Sequence, residues 1–365
     1  MQEKIAFSFI LTNYNAERYI GEAIRSVFNQ NYDGPMELIV VDDCSTDNSW
    51  NVIQETIKQF AGSFDVRCVK TPQNGGTANS VDTGMALAKY DWLVMIDGDD
   101  VQLPHRTSYT AELINKYPKV QVIVMGAKAI GVNGEDWNYN EVPMIGEGVE
   151  YDSSDFPKLL YLESAEARFQ NFLIEKNGVK VRFFQGVIRK ELYELWGALS
   201  VEEMKTVRFY QDLSWGARAA LTGPILASSQ PAILYRYHGN NQYALTCPES
   251  TSAADAICEE EKLRDKRWPG VNRTNASVMQ SFRRAMDNPN LTDWRGVQIK
   301  MAMHQWGREV NAYTMMELWW QQNWFVRVLR ILRYGWRVRP VHLRMALWRL
   351  LPLKMFCYMK SKKTG

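Results

Sequence analysis

A chain of 365 residues, 46% hydrophobic, is long enough to bury a large core without covalent staples, as one elaborated domain with a smaller appendage. Its five cysteines, Cys44, Cys68, Cys247, Cys258 and Cys357, are scattered and form no CxxC or Cys/His cluster, which argues against a disulfide framework or a zinc site and for a reducing compartment. The net charge of +2 divides unevenly: eleven Lys or Arg and no acid from Leu318 onward, against −9 on everything before.

In chain order the apolar runs alternate with longer amphipathic ones. Strand "IAFSFILTN" precedes helix "AERYIGEAIRSVFNQ"; strand "MELIVVDD" precedes helix "NSWNVIQETIKQF"; strand "VRCVKT" precedes a helix over 77–88. Strand "WLVMID", helix "PHRTSYTAELINKY" and strand "VQVIVMGAKAI" follow. Strands that are apolar almost throughout, each followed by a helix, predict an α/β fold with a mostly parallel sheet covered on both faces. The pattern weakens into an acidic, aromatic insertion over 131–179. It returns at "VRFFQGVIRKELYELWG", a helical "FYQDLSWGARAAL" and a strand "AILYRYHGNN", and residues 250–317 read as helical.

Ligands of such sheets bind at the carboxyl ends of the strands. Four of those ends carry polar clusters: "TNYN", "DDCSTD", "QNGG" and "GDD". Asp97, Asp99 and Asp100 crowd three carboxylates into four positions, a repulsion that a divalent cation relieves. Period-two alternation would aim Asp97 and Asp99 to one side, and Gly98 between them would let a ligand approach the backbone. A solvated Asp/Gly turn has the same composition. In "VVDDCSTD", Ser45 or Thr46 would cap the next helix, which leaves Asp42 and Asp43 available to accept from a nucleobase N–H or a ribose hydroxyl. His105 reads as the first turn of a helix opening at Pro104.

The stretches "FILTNYNAERYIGEAIRSVFNQNY", "LIVVDDCSTDNSW" and "QNGGTANSVDTGMALAKYDWLVMIDGDDVQLP" together resemble the nucleotide-sugar-binding half of the family 2 glycosyltransferases, and "FYQDLSW" and "YRYHGNN" continue the likeness more weakly. The resemblance implies a GT-A fold, Rossmann-like and inverting, and the residues beyond it read as a helical, basic C-terminal extension. It implies a nucleotide-sugar donor, UDP-linked by expectation, contacted by Thr12, Tyr14, Asp43, Asn74 and Asp97. Arg236 and His238 would lie on the diphosphate side, or else form a partly buried structural pair. Mn²⁺ or Mg²⁺ would sit on Asp97 and Asp99, and Asp212 would be the base that deprotonates the acceptor hydroxyl in a single displacement. Two departures stand out: Val81 and Asp82 replace a usual Arg and Asn, and Gln211 replaces a usual Glu before the base.

These readings divide the chain into a catalytic domain over 1–245, with a nucleotide-binding half (1–130) and an acceptor-side half (131–245), and a helical region over 246–365. Within the tail, about 318–365, Arg327, Arg330, Arg333 and Arg337 share one helical face beside Phe325, Val328, Leu332 and Trp336. This is the pattern of an interfacial helix on anionic lipid, and it carries no nucleic-acid-binding motif. With no secretory signal in Met1–Ile10 and no apolar run of about 18 residues, a cytoplasmic protein peripheral on the inner membrane face, of bacterial type, is expected. The acceptor would be a lipid-linked or surface-polysaccharide glycan. The rival readings are a polyprenyl-phosphate sugar transferase and a non-catalytic sugar-nucleotide-binding protein of the same fold.

Overall fold

Seven consecutive buried residues, Phe7–Asn13, make strand β1, and burial on both faces marks it as the centre of a sheet. The computed structural model describes residues 4–60, 64–136, 159–164, 186–196, 219 and 223–238. After β1 come α1 (Ile20–Phe28), β2 (Met36–Asp42), α2 (Ser49–Gln59), β3 (Asp65–Lys70), α3 (Thr77–Leu87) and β4 (Trp92–Asp97). A short β5 (Val101–Gln102), α4 (Arg106–Lys116), β6 (Val122–Ile130), β7 (Leu159–Leu162), β8 (Gly186–Arg189), α5 (Lys190–Trp196) and β9 (Ile225–Arg236) complete the described elements.

The strands form one sheet in the order β3-β2-β1-β4-β8-β6-β9-β5, with β7 also on β9. From β3 to β4 every pairing is parallel, with Thr12 beside Asp97 and Asn13 beside Asp42. The antiparallel contacts come from β5, β7 and β8, while β6 and β9 run parallel. Side chains alternate across the strands as period two demands. Phe7, Phe9 and Leu11 pack with Ile20, Ile24 and Val27 of α1 and Leu113 of α4, whereas Ile10, Ile39 and Val41 pack with Val81 and Met85 of α3.

Strand order reverses at β1, whose neighbours β2 and β4 leave in opposite directions, and it is between the loops after such strands that a doubly wound sheet forms its crevice. The sequence places its polar clusters at this switch point. Gln30 lies just past α1: its Nε2 donates to the carbonyls of Ser26 and Leu103 at 3.0 Å, and its Oε1 accepts from the Thr107 backbone and hydroxyl. The loop that follows the acids is thereby fastened to α1.

Candidate functional site

Two loops build one wall of the crevice by exchanging hydrogen bonds. Asn13 Nδ2 donates to Asp42 Oδ1 at 2.7 Å, the backbone N–H of Asn15 and Ala16 donate to the hydroxyls of Ser45 and Ser49, and Glu17 N–H donates to Asp47. In return Thr46 N–H donates to Asn15 Oδ1 at 2.8 Å and Asn48 N–H to Glu17 Oε2 at 2.7 Å. Asn15 and Cys44 take positive φ, 52° and 58°, to make these reciprocal turns. Ser45 and Thr46 therefore serve the lacing and do not cap α2, whose N-cap is Asn48.

Asp42 and Asp43 divide their work. Asp42, fully buried, accepts from Asn13 and from the N–H and hydroxyl of Ser45, so it is spent on the wall. Asp43 accepts from the Thr71 hydroxyl at 3.0 Å and from the N–H of Gly75 (3.0 Å) and Gly76 (2.7 Å). It thus holds the "QNGG" loop against β2. Asn74 is exposed and its Oδ1 also accepts from Gly76 N–H. Gly76, the N-cap of α3, has φ 79° with open space around it, so glycine is required there for the backbone angle. Thr12 is buried with its hydroxyl 3.5 Å from Asp97 Oδ1, and Tyr14 stands 49% exposed at the rim.

The D-x-D segment straddles the end of β4. Asp97 is the last strand residue, and a turn closed by Asp100 N–H on the Asp97 carbonyl (3.2 Å) carries Gly98 and Asp99. Strand alternation therefore stops short of Asp99. Gly98 also differs from expectation: a Cβ there would lie 3.0 Å from both the Thr12 carbonyl and Asn13 Oδ1. The chain itself occupies the space that a ligand was expected to use.

Asp97 and Asp99 are partly exposed, while Asp100 is buried. Asp100 Oδ1 accepts from the backbone N–H of Arg236 at 2.9 Å, and its Oδ2 has no hydrogen-bond partner among the described residues. Burial, then the charges of Asp99 and Asp97, push the Asp100 carboxyl well above its usual range. Burial and the same acids raise the Tyr235 phenol. Beneath them lies fully buried Arg106, which donates to the Met95 carbonyl and to Gln102; burial pushes its guanidinium down to about 9 while Asp100 holds it up.

This surplus of negative charge fits a divalent cation. Oxygen donors from two part-exposed carboxylates suit Mg²⁺ or Mn²⁺, which take one or two carboxylates and complete their shell with water and phosphate oxygens. Among the described residues no cluster of three ligating side chains forms a metal site on its own.

Arg236 is 1% exposed, and its side chain donates to the Asp99, Gly131 and Val132 carbonyls and to Glu22. His238 Nε2 lies 2.9 Å from Asp99 Oδ2. His105 is the N-cap of α4, with Nε2 2.9 Å from the Pro231 carbonyl. Val81 lies in the core and the Asp82 carbonyl accepts from the Tyr193 hydroxyl at 3.4 Å. Asp212 and Gln211 lie outside the described residues, as does the basic tail. Sequence reasoning missed Tyr19 and Glu22, which read as an ordinary helix start; an acid in the first turn of α1 was the available signal.

The sequence model described as Glycosyl transferase family 2 matches residues 8–193. An uncharacterized glycosyltransferase of Haemophilus influenzae is 29% identical over 137 residues, 38% of this chain and 44% of that protein. The poly-beta-1,6-N-acetyl-D-glucosamine synthase of Staphylococcus epidermidis is 29% identical over 122 residues, 33% of this chain and 28% of that protein. The chain thus spans less than half the length of these two curated relatives. Among solved structures, S. aureus TarS 1-349 in complex with UDP-GlcNAc aligns with a TM-score of 0.50 at 15% identity, over 95% of this chain and 80% of that one, a likeness of fold.

Proposed function

The chain belongs to glycosyl transferase family 2, and on that premise we propose that it transfers a sugar, with inversion, from a uridine diphosphate donor to a glycan acceptor of the lipid-linked or surface-polysaccharide kind. The observation that carries this reading is the meeting of Asp43 and the D-x-D acids at one switch point, a carboxylate just past β2 and a charge-dense wall at the end of β4. UDP-GlcNAc held by TarS supports the choice of nucleotide, and the polysaccharide synthase among the relatives supports the acceptor class.

In this reading Thr12, Tyr14, Asp43 and Asn74 receive the nucleoside. Asp97 and Asp99 would hold a Mn²⁺ or Mg²⁺ ion, whose charge offsets that of the departing diphosphate. Asp212 takes the proton of the acceptor hydroxyl as that oxygen attacks the anomeric carbon from the face opposite the diphosphate. The seated Arg236 fixes the acids from behind, since its donors point into protein. The tail places the enzyme on anionic lipid, where such an acceptor is presented.

The reading is tested by melting the protein with a panel of nucleotide sugars, with and without Mn²⁺, followed by donor hydrolysis and transfer assays. A Mn²⁺-dependent rise in Tm with UDP-sugars, and turnover reduced at least about a hundredfold by Asp212→Asn, are expected. Donor binding without hydrolysis or transfer, indifferent to Asp212→Asn, would instead identify a sugar-nucleotide-binding protein.

A further inference from the structure

The acids of the D-x-D turn are held from the end of β9, far along the chain. Arg236 closes β9 and donates from its backbone to Asp100 Oδ1 (2.9 Å) and from Nε to the Asp99 carbonyl (3.0 Å). Its Nη2 donates to Glu22 Oε2 at 2.7 Å, and its guanidinium carbon lies 5.0 Å from the centre of the Tyr19 ring. The His238 ring is stacked on the same Tyr19, centroids 5.0 Å apart and planes 22° apart, while its Nε2 reaches Asp99 Oδ2 at 2.9 Å. Tyr19 therefore touches both groups that touch Asp99, Arg236 at its carbonyl and His238 at its carboxylate, and Glu22 touches Arg236.

A carboxylate at a turn swings freely about its own torsions, and a cation held by only two such groups loses affinity with every orientation that must be frozen out. Stacking restricts the imidazole to one plane, and a charged two-ended contact restricts the guanidinium. We propose that Tyr19 and Glu22, at the N-terminus of α1, are positioning residues for Asp99. Tyr19 orients His238 against the carboxylate, and Glu22 anchors Arg236, which sets the turn. This rests on the reading of Asp99 as a cation ligand. The loop that leads into Tyr19 is also laced to the loop after Asp43, so one helix start ties the nucleoside end of the crevice to the diphosphate end.

The test is Mn²⁺ alone, titrated into the full chain and followed by the loss of the free-ion electron paramagnetic signal. Tyr19→Leu is expected to weaken Mn²⁺ binding about tenfold, and Tyr19→Phe, which keeps the ring, to stay within about twofold of wild type. Glu22 has a side chain 52% exposed, so Glu22→Ala keeps the fold, and it is expected to weaken Mn²⁺ binding about three- to tenfold. UDP binding measured in EDTA should be unchanged in all three, which a general loosening of the fold would not allow. Wild-type Mn²⁺ affinity in both Tyr19→Leu and Glu22→Ala, beside its loss in Asp99→Asn, overturns the inference and leaves the metal reading standing. Undiminished affinity in Asp99→Asn removes the metal reading itself, and the inference with it.

Discussion

Asp100 sits deepest in the acid cluster, and its environment decides which state of the carboxyl the fold prefers. Burial and the neighbouring charges of Asp99 and Asp97 raise its proton affinity, so above about pH 4 the unfolded chain releases a proton that the cation-free native state tends to keep. The native state then binds more protons than the unfolded one, and stability falls as pH rises through that window. Asp100→Asn removes the slope. Melting in EDTA as pH rises from about 4 should therefore show wild type losing ground to Asp100→Asn until the native carboxyl ionises; parallel curves would mean that Asp100 ionises normally. That like charges gather at the strand ends is legible in sequence, because alternation and composition both mark the positions. Their unequal roles are not. Asp42 is distinguished from Asp43 only by the Asn13–Ser45 lacing, and Asp100 from Asp99 only by the end of β9.

At the scale of elements, α3 shows packing overruling propensity. Gly84 lies inside this helix, where Ala is the better helix former by about 1 kcal/mol. A Cβ there would meet Ile10 Cγ2 at 2.4 Å and Val41 Cγ2 at 3.4 Å, both fully buried strand residues beneath α3. Glycine lets the helix close on β1 and β2, so Gly84→Ala should destabilise by about 1–3 kcal/mol despite its helical preference, read as a lowered denaturant midpoint. A midpoint at or above wild type would show that Ile10 has room to turn aside. The first six elements were readable because short apolar runs alternate with longer amphipathic ones. β9 was readable only from Ala232: its first half runs through "ASSQP", which has the composition of a turn. The register shifts there, Gly126 pairing with Pro231 between Met125–Ser228 and Ala127–Ile233, and the bulge is where a sheet tolerates proline. Gly126 is its complement, since a Cβ would lie 2.5 Å from the Ser229 carbonyl.

For the whole molecule the charge division makes the sharpest demand. A body of net −9 is repelled by an anionic surface, so association with one must come from the eleven cations after Glu317. Each Lys or Arg near such a surface contributes about 1 kcal/mol, and Trp and Phe on the same helical period add apolar burial that salt does not screen. Removing Arg327, Arg330, Arg333 and Arg337 together as Gln should therefore weaken binding to phosphatidylserine-containing vesicles by roughly a hundred- to a thousandfold, with a residue of salt-insensitive binding. Truncation after Glu317 should remove that residue as well. The described residues at the ends of β1 and β4 all precede Glu317, so the Mn²⁺-dependent melting shift with a UDP-sugar should persist in both. Flotation with anionic and with neutral vesicles, at low and at physiological salt, separates the two contributions. Unchanged flotation of the truncated chain on anionic vesicles would place the membrane contact in the body, against its charge, and would leave the tail to pack on the domain.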